Sequence, residues 1–297
     1  MPTQSILDRH FKNKTKYGYK RLGILLQRGY IDKIYYYVKQ RNKLRRMAGI
    51  LYITYQGLKC LKLTDSVNIL NVKPKEGKLD IAYLLGSLYS SIPELISGKT
   101  ARDKYKLKNF MPITACYPGD KPAYIFILGR NPAHNEAGRI RAFVKSAIQP
   151  GEYLVISRRF YKQFEDQPIR FVPWPLAEEV VPNGLKDNNH YLNDFKNTLQ
   201  ARVHGVIFGK KRGDFHEVMI NGKMYNVAEI FYGNTQGVRQ ALSHPLAPTI
   251  LYAPSRVHFP GIKLEKGSFL FFSRKDESFY QAYLNDKGRM MSRPYNL

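Results

Sequence analysis

At 297 residues the chain has room for two ordinary domains. With 43% hydrophobic and 13% aromatic residues it can build genuine cores, which excludes a disordered tail. Its 48 Lys and Arg against 23 Asp and Glu leave a net +25, a balance that draws polyanions, nucleic acid foremost and ribosomal or membrane surfaces after it. Cys60 and Cys116 lie too far apart for a metal-ligand pair and form no disulfide framework, as suits a reducing compartment. The residues after Met1 hold no apolar signal region, and no apolar run approaches the ~20 residues of a membrane span. The expectation is a cytoplasmic, nucleoid-associated protein with no membrane partner.

The charge is concentrated at the start. Residues 1–63 carry fifteen Lys and Arg against Asp8 and Asp32, about half of the whole excess. That asymmetry marks where a polyanion docks. Gln4–Phe11 reads as a first helix with Ile6, Leu7 and Phe11 inward. A second helix opens at Thr15 and stops at Gly29, with Leu22, Leu25 and Leu26 as its apolar face. Gly18 and Gly23 lie inside it, each unfavourable by ~1 kcal/mol relative to Ala. Lys16, Tyr17, Lys20 and Arg21 are the exposed side chains of its first turns, the position from which a recognition helix reads a major groove.

Residues 32–49 are β-prone at both ends and carry Lys39, Arg41, Lys43, Arg45 and Arg46 near the middle. That pattern predicts a hairpin whose basic tip lies on phosphates or in a minor groove. Leu51–Leu61 then reads as a short strand followed by a helix opening at Thr54. Gln27-Arg28-Gly29-Tyr30-Ile31, the basic hairpin and Tyr52-Ile53-Thr54-Tyr55-Gln56-Gly57 together resemble winged helix-turn-helix proteins. Joined to a C-terminal domain, the segment is similar to the replication-relaxation family of plasmid and mobile-element proteins. The resemblance covers about a fifth of the chain. It implies a double-stranded DNA partner and a role in transcription regulation or as a replication or transfer accessory factor.

Residues 64–78, with Pro74 and Gly77, read as a linker. Leu79, Leu84, Leu85, Leu88, Ile92, Leu95 and Ile96 recur at helical spacing, predicting an apolar helix over 79–97 that either packs internally or forms a homodimer. A polar stretch follows to about residue 109. Beyond it, strands at Ala123–Leu128, Tyr153–Ile156 and Ile169–Val172 alternate with helices at Asn135–Ile148 and Arg158–Phe164. Next come a helix over 189–200 and a strand at Val203–Phe208. Glu217–Ile220 and Met224–Ile230 form a hairpin across Asn221-Gly222. A helix (Gln236–Leu242), strands at Thr249–Tyr252 and Ser268–Phe272, and a mobile basic tail complete the chain. The expected fold class is α+β: a winged helix-turn-helix over 1–65, a linker and connecting helix over 66–108, and a mixed α/β domain over 109–297, a degenerate nuclease fold being one reading of the last. No internal repeat is evident.

No convincing catalytic site emerges, and no resident metal or cofactor is expected. The alternative to a regulator is a nuclease holding Mg²⁺ with Asp214, Glu217 and Glu229, although Glu229 lacks the lysine that usually follows two positions on. A nicking enzyme needs closely spaced histidines, and none of the seven lies within five positions of another. Gly205–Lys211 lacks the ending of a phosphate-binding loop and reads as a basic turn, a candidate second backbone contact. Gly129–Glu136 reads as a capped loop that can cradle an anion at a helix start. A third class of function, a packaging protein that binds nucleic acid by charge alone, shares the same composition.

Overall fold

In a computed structural model, the described residues are 6–7, 11, 15–40, 43–62, 78–108, 111–129, 132, 135–146, 151–164, 167–212, 215–232, 235–243, 247–253, 268–284 and 290–295. They form a mixed α and β structure with eight α-helices and three sheets. Two compact units divide the chain, one of residues 1–95 with 129–131, the other of 96–128 with 132–297. The first boundary therefore falls at Leu95/Ile96, so residues 96–108, read above as part of a connection, belong to the second unit.

The first unit begins with Ile6 and Leu7 in helical conformation, packed with Phe11 against the helix α1 (Thr15–Gln27). Gly18 explains itself here. A Cβ at that position would lie 2.6 Å from Leu7 Cδ2 and 2.9 Å from Phe11 Cγ, so its missing side chain lets the first segment close onto α1. The buried stripe of α1 is Gly18 and Leu22, with Leu26 half-buried; Leu25, expected inward, is 37% exposed. Two bonds end the helix, Gly29 N–H to the Leu26 carbonyl (3.0 Å) and Tyr30 N–H to the Leu25 carbonyl (3.0 Å). Gly29 sits at φ +68°, the left-handed conformation that this closure requires.

β1 (Ile31–Gln40) and β2 (Lys43–Ile53) form an antiparallel hairpin, and α2 (Tyr55–Cys60) follows. Thr54 caps α2 by accepting from Gly57 N–H at 3.1 Å and donates its hydroxyl to the Gly29 carbonyl. Its own N–H bonds the Tyr30 carbonyl at 3.0 Å. The two short sequence motifs, 27–31 and 52–57, are thus two halves of one interlock. α3 (Leu79–Ser91) completes the unit beside β1, burying Leu79, Leu84 and Leu88. It stops short of the predicted residue 97, because Pro93 follows and Ile96 enters a strand.

The second unit holds two sheets. One has the order β3-β4-β5-β6-β7, from Ile96–Ser97, Ala115–Tyr117, Ala123–Ile127, Glu152–Ser157 and Ile169–Pro173. α4 (Gly98–Lys104) replaces the expected polar connection and is capped by the Ser97 side chain on Thr100 N–H. α5 (Glu136–Ser146) joins β5 to its parallel neighbour β6, and Ile140, Phe143 and Val144 fill the core against Tyr124, Phe126 and Val155. α6 (Ala177–Lys186) and α7 (His190–Arg202) lead to the second sheet. α6 contains Pro182 and Gly184, which hid it from the sequence pattern.

The second sheet is β8 (Val206–Arg212), β9 (Phe215–Ile220), β10 (Lys223–Glu229), β11 (Thr249–Ala253), β12 (Ser268–Ser273), β13 (Ser278–Leu284) and β14 (Met290–Pro294), in that spatial order, with α8 (Thr235–Ser243) between β10 and β11. Of the last dozen residues, expected as a mobile basic tail, Met290–Pro294 instead form β14, hydrogen-bonded along β13. Each sheet runs an antiparallel strand and then three parallel ones in chain order, β4 then β5-β6-β7 and β9 then β10-β11-β12. This shared plan carries no matching sequence period.

Candidate nucleic-acid interface

The hairpin of the first unit separates its charges along its length. At the base, Asp32 pairs with Tyr52 across the ladder. The Tyr52 hydroxyl donates to Asp32 Oδ2 at 2.6 Å. That bond to a carboxylate, with burial and the negative charge behind it, pushes the phenol up to about 12. At the other end the register places Tyr37 opposite Arg46, Val38 opposite Arg45, Lys39 opposite Leu44 and Gln40 opposite Lys43. Four of the five predicted wing residues thus occupy the last rungs. Arg41 lies outside the described residues. At ~3.3 Å per residue, the Gln40–Lys43 rung lies about 26 Å along the strand from the Asp32–Tyr52 rung. A register shift between Tyr36 and Tyr37 marks where the basic half begins, and bulges of this kind add local twist.

On α1, Lys16, Tyr17, Lys20 and Arg21 are all exposed, as the helical pattern predicts. Arg21 Nε donates to Tyr17 Oη at 2.7 Å, and the guanidinium lies 5.1 Å from the Tyr17 ring centre. The ring in turn meets Phe11 edge-on at 6.0 Å. Arg21 is thereby held by a neighbour that is itself packed, which reduces the side-chain entropy that any further contact would cost it. Tyr19, 53% exposed, and Arg28 share the exposed surface of this segment and were not singled out by the sequence.

Of the three nuclease candidates, the structure places Glu217 and Glu229, and it does not bring these two together. Asp214 lies outside the described residues. Glu217 stands opposite Asn226, whereas Glu229 is three positions further along β10. Side chains alternate along a strand, so Glu217 and Glu229 leave opposite faces of the sheet. Glu229 is buried, and its Oε2 accepts the N–H groups of Phe231 (2.7 Å) and Tyr232 (2.9 Å). Burial pushes its carboxyl above the usual carboxylate range, opposed by those two bonds and by Arg170. Arg170 of β7 donates to the Tyr232 carbonyl at 2.8 Å and pairs with Glu152 at 3.2 Å, fixing the turn after β10 to the other sheet of the same unit. Glu229 therefore shapes that turn. Glu229→Ala strands two buried amides, and urea unfolding should show a loss of about 2–4 kcal/mol.

Among the described residues, no three His, Cys, Asp or Glu side chains gather as metal ligands, and no helix is long and apolar enough to cross a membrane. The Gly205–Lys211 segment is not a turn after a strand but the greater part of strand β8. In the Gly129–Glu136 loop, residues 130, 131, 133 and 134 lie outside the described set. Comparison of the chain with protein-family models, with curated proteins and with solved structures finds no match.

Proposed function

We propose that the chain is a double-stranded DNA-binding protein that docks through its first unit as a winged helix-turn-helix. The observation that carries this reading is the placement of cations at the distal end of the hairpin and on the exposed face of α1, with Asp32 bonded at the hairpin base. Long cationic donors on a helix probe base edges, and a basic hairpin holds phosphates. Lys16, Tyr17, Lys20 and Arg21 take the first role, and Lys39, Arg41, Lys43, Arg45 and Arg46 the second. The resemblance to the replication-relaxation family favours a regulator or a replication or transfer accessory factor of a plasmid, phage or other mobile element. A homodimer on two half-sites and a nucleoid location in the cytoplasm belong to the same proposal.

The test is fluorescence anisotropy of the full chain on duplex DNA in EDTA across a salt series. Affinity should fall steeply with salt. Arg21→Ala should weaken binding to a selected site by about 1–3 kcal/mol. Binding that ignores both salt and Arg21 would sink this reading of α1. Equal affinity for all duplexes at matched salt would instead indicate a packaging protein.

A further inference from the structure

Strand β8 forms one edge of the seven-stranded sheet, and its pairing with β9 is irregular. Phe208 stands opposite Val218 and Lys211 opposite His216, so three steps on β8 match two on β9. Without the extra residue, Lys210 would oppose His216 and Lys211 would point to the other face. Gly209 lies within the irregular stretch, where a Cβ would come 3.3 Å from Glu217 Cβ. The bulge thus turns Lys211 onto the face that carries His216 and Phe208, since directly opposed residues of an antiparallel pair share a face.

Two more lysines occupy that face. Lys196 of α7 brings its Nζ within 5.5 Å of the Phe208 ring centre. Lys223 opposes Ile220, an even number of residues from His216, and its Nζ lies 5.5 Å from the Tyr225 ring centre. Among the described residues, the charged groups that act on His216 are Lys196 from α7 and Lys211 from β8, both cationic. On β10 it opposes Val227. The nearby acid of α7, Asp194, accepts from the Tyr252 hydroxyl at 2.5 Å and pairs with Arg274 at 3.4 Å, and Glu217 faces the other side of the sheet. Burial, then the two lysines, bring the His216 imidazole down to about 4. Gathering like charges around a half-buried imidazole gives the isolated fold no advantage. A bound polyanion would turn the repulsion into attraction.

We propose that this sheet edge is a second nucleic-acid contact, in which Lys196 and Lys211 hold backbone phosphates of duplex DNA around the His216 imidazole and Lys223 extends the contact further along the same face. The inference rests on reading the chain as a DNA-binding protein, and it gives the second unit a share of the binding. Each phosphate contact contributes about 0.9 to the slope of log affinity against log salt.

The experiment measures that slope for the full chain on a 40-base-pair duplex. K196Q/K211Q should lower it by about 2 and weaken binding about tenfold or more at physiological salt. K145Q/K186Q removes the same charge from exposed positions on α5 and α6 and should keep the parent slope. In parallel, the His216 resonance, assigned with H216N, should titrate at higher pH when the duplex is bound, because phosphates oppose the lysines. A parent slope in K196Q/K211Q with a His216 titration unmoved by DNA would overturn the second contact and leave the first unit as the reader. Equal losses in both double variants would reduce the effect to net charge and overturn the site. A full chain that fails to bind duplex DNA would overturn both proposals together.

Discussion

Gly57→Ala is expected to destabilise the first unit by about 3 kcal/mol, although alanine is the better helix former by ~1 kcal/mol. Gly57 lies in α2, and a Cβ there would fall 2.1 Å from the Tyr30 carbonyl oxygen and 2.8 Å from Ile53 Cγ1. The first of these is backbone, held by Thr54 N–H, so it cannot swing aside as a side-chain end would. Either α2 moves off the hairpin base or the Thr54 interlock opens. Gly23→Ala supplies the contrast within the same unit. Nothing lies within 4 Å of its Cβ position, and that substitution should stabilise by up to about 1 kcal/mol. Urea unfolding of the full chain, followed for each unit by side-chain resonances, measures both. Wild-type stability in Gly57→Ala would mean that α2 does not close onto Tyr30 as described.

The second large effect concerns the hairpin tip. Replacing Lys39, Arg41, Lys43, Arg45 and Arg46 together by Gln should reduce duplex affinity by about three orders of magnitude at physiological salt and lower the salt slope by about 4. Stability should change little, because the ladder at that end is a two-stranded ribbon whose backbone bonds do not depend on those side chains. Equilibrium binding over the salt series, with circular dichroism as the check on folding, decides it. An unchanged slope would move the reader away from the hairpin and onto α1 or the second unit.

The two variants probe different levels of the same segment. Gly57 belongs to a motif visible in the sequence, yet its spacing did not say why glycine is needed. The reason is the approach of α2 to a carbonyl 27 positions earlier, a contact that exists only once the hairpin has folded back. Gly18 is similar. It reads as a flaw in a helix until Leu7 and Phe11 are seen to occupy the space its side chain would take.

Local chemistry determined a good deal by itself. The helix stop at Gly29, the cap at Thr54, the Asn221-Gly222 turn and the alternation of buried strands depend on residues within a few positions of one another. So does the concentration of cations in residues 1–63. Tertiary structure decided the rest. Pro182 and Gly184 argue against a helix, but burial of Val180 and Val181 outweighs that local cost in α6. The polar last residues join the sheet as β14 because β13 offers an unpaired edge. Glu217 and Glu229 are close in sequence and are parted by the two-residue alternation of paired strands. Lys196, Lys211 and His216 are brought to one face by a bulge between β8 and β9 and by the packing of α7 near Phe208, neither of which the sequence pattern encodes.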